Sequence, residues 1–328
     1  MTDPEISVVA PAYNEEASVN AFYDRVAAVF DDHGIRGEII FVNDGSTDGT
    51  LDALIALHAR DSRVVVIDLS RNFGKEIALT AGLDHVRGQA AIPIDVDLQD
   101  PPELIPDLIA AWREGYVVVN ARRRSRQGET YLKKATASAF YKLMQKFDRH
   151  AAIPENVGDY RLVDRKALEA ITSMRERHRF MKGIFHLVGF KQTFVDYDRD
   201  PRFGGSSSFN YWKLWNFSLE GITSFTTLPL RLFGYVGFVV ALLSFAYGMF
   251  IMTKALFFDD PVAGFPTLFV SIAFLGGIQL IGLGVIGEYL GRIFNETKNR
   301  PLYFVDTVYQ SPTEPLVVEL PQAEKSAQ

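Results

Sequence analysis

The sequence predicts an α/β domain with a doubly wound, mostly parallel sheet, followed by amphipathic interface helices and two transmembrane helices. Three observations predict it. Over residues 1–125, five short apolar runs alternate with stretches of helical period. Four of those runs end in polar loops that share Asn, Asp, Gly, Glu or Lys. Beyond residue 230, the spans 232–253 and 265–287 hold no charged residue. Strands alternating with helices imply crossover connections and hence parallel pairing. An uncharged apolar span of about 20 residues is long enough to cross a bilayer.

The expected strands are 6–10, 39–42, 64–69, 90–94 and 117–121. They are continuously apolar rather than alternating, as strands buried on both faces are. Helical period over residues 15–33, 48–59, 75–86 and 102–114 supplies the crossovers. The first strand runs into Pro11-Ala12-Tyr13-Asn14-Glu15-Glu16 and the second into Asn43-Asp44-Gly45-Ser46-Thr47-Asp48. The third runs into Arg71-Asn72-Phe73-Gly74-Lys75, and the fourth into Asp95-Val96-Asp97-Leu98-Gln99-Asp100-Pro101-Pro102.

Taken singly these loops say little. Asn43-Asp44-Gly45 is a common turn, Ser46 or Thr47 a common helix cap. An isolated Asp-x-Asp such as Asp95-Val96-Asp97 is most often a solvated acidic turn. Four such loops at one sheet edge make a site, because ligands of open α/β sheets bind outside the carboxyl ends of the strands. Carboxylates there suit a hard cation, which takes oxygen ligands and commonly binds one or two carboxylates plus substrate phosphates. A metal-held diphosphate is the first hypothesis for this edge, beside a solvated acidic turn that caps the following helix. No strand-end loop carries G-x-G-x-x-G or G-x-x-x-x-G-K-[ST], which disfavours a Rossmann dehydrogenase and a P-loop enzyme.

Composition narrows the classes further. A net charge of −6 disfavours a general nucleic-acid binder. The absence of Cys excludes disulfides, thiolate zinc sites and Cys nucleophiles. The six His residues (33, 58, 85, 150, 178 and 186) show no metal-type pair spacing. Residues 1–6 hold neither a basic n-region nor an apolar h-region, so no signal peptide is expected there.

In order and spacing, Pro11 to Glu15, Val42 to Asp48, Asn72 to Lys75 and Asp95 to Pro102 resemble glycosyltransferase family 2 with the GT-A fold. Gly158-Asp159-Tyr160-Arg161-Leu162 and Arg202-Phe203-Gly204-Gly205-Ser206-Ser207-Ser208 resemble its polyprenyl-phosphate branch. That branch includes dolichol-phosphate mannose synthase and bacterial undecaprenyl-phosphate sugar transferases. The likeness covers residues 5–300. It implies inverting transfer of a hexose from a nucleotide sugar to polyprenyl (undecaprenyl) phosphate. UDP-glucose is the favoured donor; GDP-mannose and a UDP-amino-arabinose derivative are the alternatives.

The resemblance also assigns roles. Asp97 and Gln99 would hold Mg²⁺ or Mn²⁺, with Asp95 on the metal or the donor. Pro11, Tyr13, Glu15, Asp44 and Lys75 would bind the donor. Arg122, Lys133, Lys134 and Arg202 would receive the acceptor phosphate. Asp159 matches the residue usually assigned as catalytic, alongside Asp97 on the metal. A phosphomonoester has a second pKa of about 6, so the acceptor arrives anionic and needs positive charge more than a strong base.

Residues 113–149 hold ten Lys and Arg against three Asp and Glu, and an apolar stripe repeats at helical spacing from Leu132 to Phe147. A basic amphipathic helix at residues 130–147 suits an anionic membrane surface; an ordinary surface helix is the other reading. Residues 209–225 carry Tyr211, Trp212, Trp215 and Phe217, types enriched at the membrane–water boundary. Arg231, Arg292, Lys298 and Arg300 flank the two spans, whereas their connection holds Lys254, Asp259 and Asp260. The positive-inside rule then puts both termini and the catalytic domain in the cytoplasm, with the chain multi-pass in the inner (cytoplasmic) membrane.

The expected division is a catalytic domain at 1–208, a juxtamembrane segment at 209–230, a transmembrane hairpin at 231–292 and a tail at 293–328. Disorder is expected in the last ~15 residues. Glycines 276, 277, 282, 284, 287 and 291 would let helices pack closely, within the hairpin or between subunits of a homo-oligomer. A processive polysaccharide synthase would carry Q-x-x-R-W and more spans. A non-catalytic membrane scaffold would have lost the intact Asp95, Asp97 and Gln99.

Overall fold

The computed structural model describes residues 3–124, 156–177, 179, 181–198, 228–257 and 264–310. The chain divides into two units, one of residues 1–208 with 300–328, the other of residues 209–299.

Over residues 3–124 the five expected strands and four expected helices form near their expected places. The order is β1 (Ile6–Ala12), α1 (Val19–Asp32), β2 (Gly37–Asn43), α2 (Thr50–Arg60), β3 (Val64–Leu69), α3 (Lys75–Asp84) and β4 (Ala90–Pro93). A 3-10 turn (Pro102–Leu104) leads into α4 (Ile105–Arg113) and β5 (Val118–Arg123). Beyond these come β6 (Val157–Asp164), α5 (Arg165–Ser173), α6 (Met181–Leu187), β7 (Gln192–Tyr197) and, from the end of the chain, β8 (Val305–Tyr309).

The sheet runs β7-β5-β6-β4-β1-β2-β3-β8. The block β4-β1-β2-β3 is parallel, as expected, with Val8 opposite Ile39 and Ile92. The sheet as a whole is mixed rather than mostly parallel: β6 runs antiparallel to β4 and β5, and β8 antiparallel to β3. Apolar periodicity reports that a strand is buried; it carries no information on the direction in which the strand enters the sheet.

Both faces of the parallel block are covered. On one, Phe22 and Phe30 of α1 pack with Phe41, the Phe22 and Phe41 rings meeting edge-on at 5.8 Å. On the other, Leu79 and Leu83 of α3 lie in one apolar cluster with Val9, Ile40 and Val42. Gly82 makes that approach close: a Cβ there would stand 2.3 Å from Val9 Cγ1. Helix α3 is thereby seated tightly on the sheet, which matters because it begins at Lys75.

The second unit contains α7 (Leu228–Phe257) and α8 (Phe265–Thr297), of 30 and 33 residues. Among the described residues one stretch, Phe274–Thr297, is long and apolar enough to cross a membrane, with mean hydropathy 1.4 and 6% of it buried. Phe233–Tyr247 of α7 is a shorter apolar stretch, so by this measure one of the two expected spans is met. The basic segment with Lys133 and Lys134, the motif containing Arg202, the 209–225 segment and the tail beyond residue 310 lie outside the described residues.

Candidate active site

Parallel pairing brings the ends of β1 to β4 to one edge, and the loops there are laced together. Asn14 donates its N–H to Ser46 Oγ at 3.0 Å and accepts from Thr47 N–H at 2.8 Å. It does so in a left-handed conformation, φ 54°, which Asn tolerates better than most residues. Glu15 donates its N–H to Thr50 Oγ1 at 2.8 Å, and its side chain accepts from Ser18 Oγ at 2.7 Å. Tyr13 stands 46% exposed, and Pro11 lies in β1 opposite Val42.

Asp44 is buried, and both its oxygens are engaged by backbone. They accept from Phe73 N–H at 2.7 Å and Gly74 N–H at 3.0 Å. Burial pushes its carboxyl up from the usual range, and the two amides partly offset this. Asp44 thus shapes the loop that leads into α3, a role its place in the sequence does not reveal.

That loop delivers Lys75. Its Nζ lies 2.6 and 2.7 Å from the two Asp95 oxygens and 3.1 Å from Asp159 Oδ2. Burial works against the ammonium charge, but the Asp95 and Asp159 carboxylates outweigh it and hold Lys75 protonated. Burial likewise opposes the Asp159 charge, and Lys75, Lys182 and Arg161 more than offset it, so Asp159 stays ionised. Asp159 Oδ1 is buried and has no hydrogen-bond partner among the described residues.

Beyond Asp95, Gln99 donates its N–H to Asp97 Oδ1 at 3.2 Å around Leu98, whose φ is 59° and whose side chain is buried. Non-Gly residues held in that region concentrate at functional sites. Asp100 secures the far side of the turn, accepting from Tyr197 Oη at 2.5 Å and Arg123 Nη2 at 3.4 Å. Among the described residues no group of three or more His, Cys, Asp or Glu is gathered to hold a metal.

Two charged residues near Asp159 carry no role in the sequence reading: Arg161, which stands in a family motif, and Glu76. Arg161 is fully buried opposite Asn120. It donates to the Gly158 carbonyl at 2.6 Å and lies 4.1 Å from the Phe185 ring centroid. Burial lowers its pKa to about 10, so it remains a cation. Its sequence signal is a lone Arg in the strand pattern Tyr160-Arg161-Leu162-Val163. Glu76 accepts from Met181 N–H at 2.9 Å.

Burial, then the charge of Asp159, pushes Glu76 up to about 7. Its folded value therefore lies above its unfolded one, and folding favours the protonated form. That contribution to stability is full below about pH 4.5 and is lost as pH rises through about 7. Glu76→Gln removes the titration and keeps an acceptor for Met181. Thermal melts of the full chain from about pH 4.5 to about pH 8 are expected to show wild type losing more stability than the variant. Parallel curves would refute the assignment.

Arg122 lies in β5 opposite Val157, two residues before Asp159. It is exposed, forks onto Asp196 at 2.6 and 3.0 Å, and lies 5.1 Å from the Phe194 ring centroid. Of the residues assigned from the sequence, Lys75, Asp95 and Asp159 are in direct contact, and Asp97 and Gln99 share the next turn. Lys133, Lys134 and Arg202 lie outside the described residues.

The glycosyl transferase family 2 profile matches residues 7–172, and the profile of the GtrB C-terminal hairpin matches residues 228–293. An uncharacterized glycosyltransferase of Synechocystis sp. is 53% identical over 93% of this chain and 96% of its own. A prophage-derived bactoprenol glucosyl transferase of Shigella flexneri is 51% identical over 92% of this chain and 97% of its own. A prophage bactoprenol glucosyl transferase homolog of Escherichia coli K12 is 50% identical over 93% and 99%. Strand-end loops laced around a Lys75–Asp95–Asp159 cluster, a profile spanning half the chain and relatives aligned along nearly all of it converge: the chain belongs to glycosyl transferase family 2.

Proposed function

We propose that the chain transfers a glucosyl group from UDP-glucose to a polyprenyl phosphate at a membrane, with inversion at the anomeric carbon. The observation that carries the reading is one ammonium, Lys75, bridging Asp95 and Asp159 at the carboxyl edge of the sheet. The names of the relatives at 51% and 50% identity, and a C-terminal hairpin profile over α7 and α8, support the acceptor and the membrane.

In the reaction an acceptor phosphate oxygen forms a bond to the anomeric carbon. The bond from that carbon to the donor diphosphate breaks, and UDP leaves with the electron pair. Pro11, Tyr13 and Glu15 line the base and ribose side, in loops that cross-linking has already ordered. Lys75, protonated, meets the diphosphate and is shared between it and Asp95. Asp159 stays anionic and faces the positive charge that develops at the anomeric carbon, as preorganised electrostatics requires. Asp97 and Gln99 share one turn, and their carboxylate and side-chain amide are oxygen ligands of the kind that would hold a hard ion. Mg²⁺ or Mn²⁺ bound there supplies Lewis-acid neutralisation of the leaving group. Arg122 would exchange Asp196 for the acceptor phosphate, aided by Lys133, Lys134 and Arg202.

The test is transfer from a panel of radiolabelled UDP- and GDP-sugars to undecaprenyl phosphate, with the lipid product weighed by mass spectrometry. A glucosyl phospholipid that forms with Mg²⁺ or Mn²⁺ and fails to form with a chelator is expected. Background counts across the whole panel would end the proposal.

A further inference from the structure

We infer that residues 300–309 form a strap that positions α3 and so aims Lys75 at the site. The strap contacts both ends of that helix. At the far end, Tyr303 Oη donates to Asp84, the last residue of α3, at 2.7 Å. Asp84 also pairs with Arg175 at 2.7 Å, and Arg177 donates to the Arg300 carbonyl, so the start of the strap is held from both sides. At the near end, Ser70 N–H donates to the Phe304 carbonyl at 3.0 Å. The Phe304 ring lies 6.4 Å from that of Phe73, two residues before Lys75. Strand β8 then pairs with β3, placing Val308 opposite Ile67.

The near end is also held by Asp44 on the Phe73 and Gly74 amides, by the Lys75 pairs with Asp95 and Asp159 and by the Glu76–Met181 bond, and the Phe73 ring is its contact with the strap. Gly74, at the N-cap, supplies no side-chain cap, and its φ of 95° is a conformation that glycine adopts and leaves at little steric cost. The Phe73 ring, 6.4 Å from that of Phe304 and with the Arg71 guanidinium 4.3 Å from its centroid, links the strap to the backbone that Asp44 holds. Freeing that ring lets the first turn of α3 drift, and a displacement of about 1 Å at a catalytic group can cost about 10²-fold in rate. The strap is therefore a positioning element for the transfer proposed above, on which the kinetic arm of its test rests.

Full-length Phe304→Ala, Phe304→Leu, Tyr303→Phe and, as a control on β8, Thr307→Ala are compared in two measurements. In hydrogen–deuterium exchange, Phe304→Ala should speed exchange of amides 72–77 by about tenfold while amides of β1 and β2 stay at the wild-type rate. In steady-state transfer, Phe304→Ala should lower kcat about tenfold, with Phe304→Leu recovering most of it, Tyr303→Phe falling between and Thr307→Ala unchanged. Unchanged exchange at 72–77 overturns the inference, even where the melting temperature falls, because the strap would then only stabilise the sheet edge. Unchanged kcat in an active enzyme overturns it too. If wild type transfers no sugar at all, the proposed function falls, and the exchange measurement still decides the strap.

Discussion

Replacing Asp159 with Asn lowers kcat by about 10²–10³-fold and leaves the donor KM within a few-fold of wild type. The substitution keeps the shape and removes the charge. Asp159 Oδ1 has no hydrogen-bond partner among the described residues, and Oδ2 meets only the Lys75 ammonium in the contacts of the site. An amide keeps an oxygen for Lys75 but gives up the charge that Lys75, Lys182 and Arg161 face, so stability has to be followed alongside activity. In the proposed mechanism what is lost is a fixed negative charge facing the anomeric carbon, on a side chain only 13% exposed, where water screens less than at the surface. Lys75 keeps Asp95, at 2.6 Å, so donor binding persists. Steady-state kinetics with a parallel melting curve decide it. A kcat within tenfold of wild type at an unchanged melting temperature would show that Asp159 is not needed for the chemical step.

Gly45→Ala destabilises the chain by about 2–3 kcal/mol and lowers kcat/KM as well. Gly45 has φ +64°, where an L side chain is strained. A Cβ there would also stand 2.5 Å from the carbonyl carbon of Arg71 and the nitrogen of Asn72. These are backbone atoms that cannot turn aside as a flexible side chain can. Relief requires the 71–74 loop to move away from the 44–46 turn, and the loop is tied to Asp44 through Phe73 and Gly74. The displacement therefore passes to Lys75, which follows directly. Denaturation and transfer kinetics on the same preparation measure both effects. An alanine variant within about 0.5 kcal/mol of wild type would mean that the turn relaxes at no cost to its neighbour.

Much of the site was legible from residue order. Five buried runs are visible because buried parallel strands are continuously apolar. Once they are parallel, their carboxyl ends must share an edge, and so the loops after Ala12, Asn43, Leu69 and Pro93 had to converge. The family motifs then attach chemistry to Asp95, Asp97 and Asp159. The pairing of Arg122 with Asp196, 74 positions away, was not legible, because no local pattern links residues so far apart.

The sequence by itself determined the parallel core, the edge that carries the chemistry and the family. Those rest on local periodicity and on motif order, which a chain states directly. Only the tertiary structure decided that β6 and β8 run antiparallel, that Asp44 serves the Phe73–Gly74 backbone and that Arg161 is a buried cation. It alone joined Tyr303 to Asp84, 219 positions apart. The physical reason is the same in each case. Strand direction, the burial of a charge and a contact between distant residues depend on which segments pack together, and no local pattern of apolar and polar residues encodes that choice.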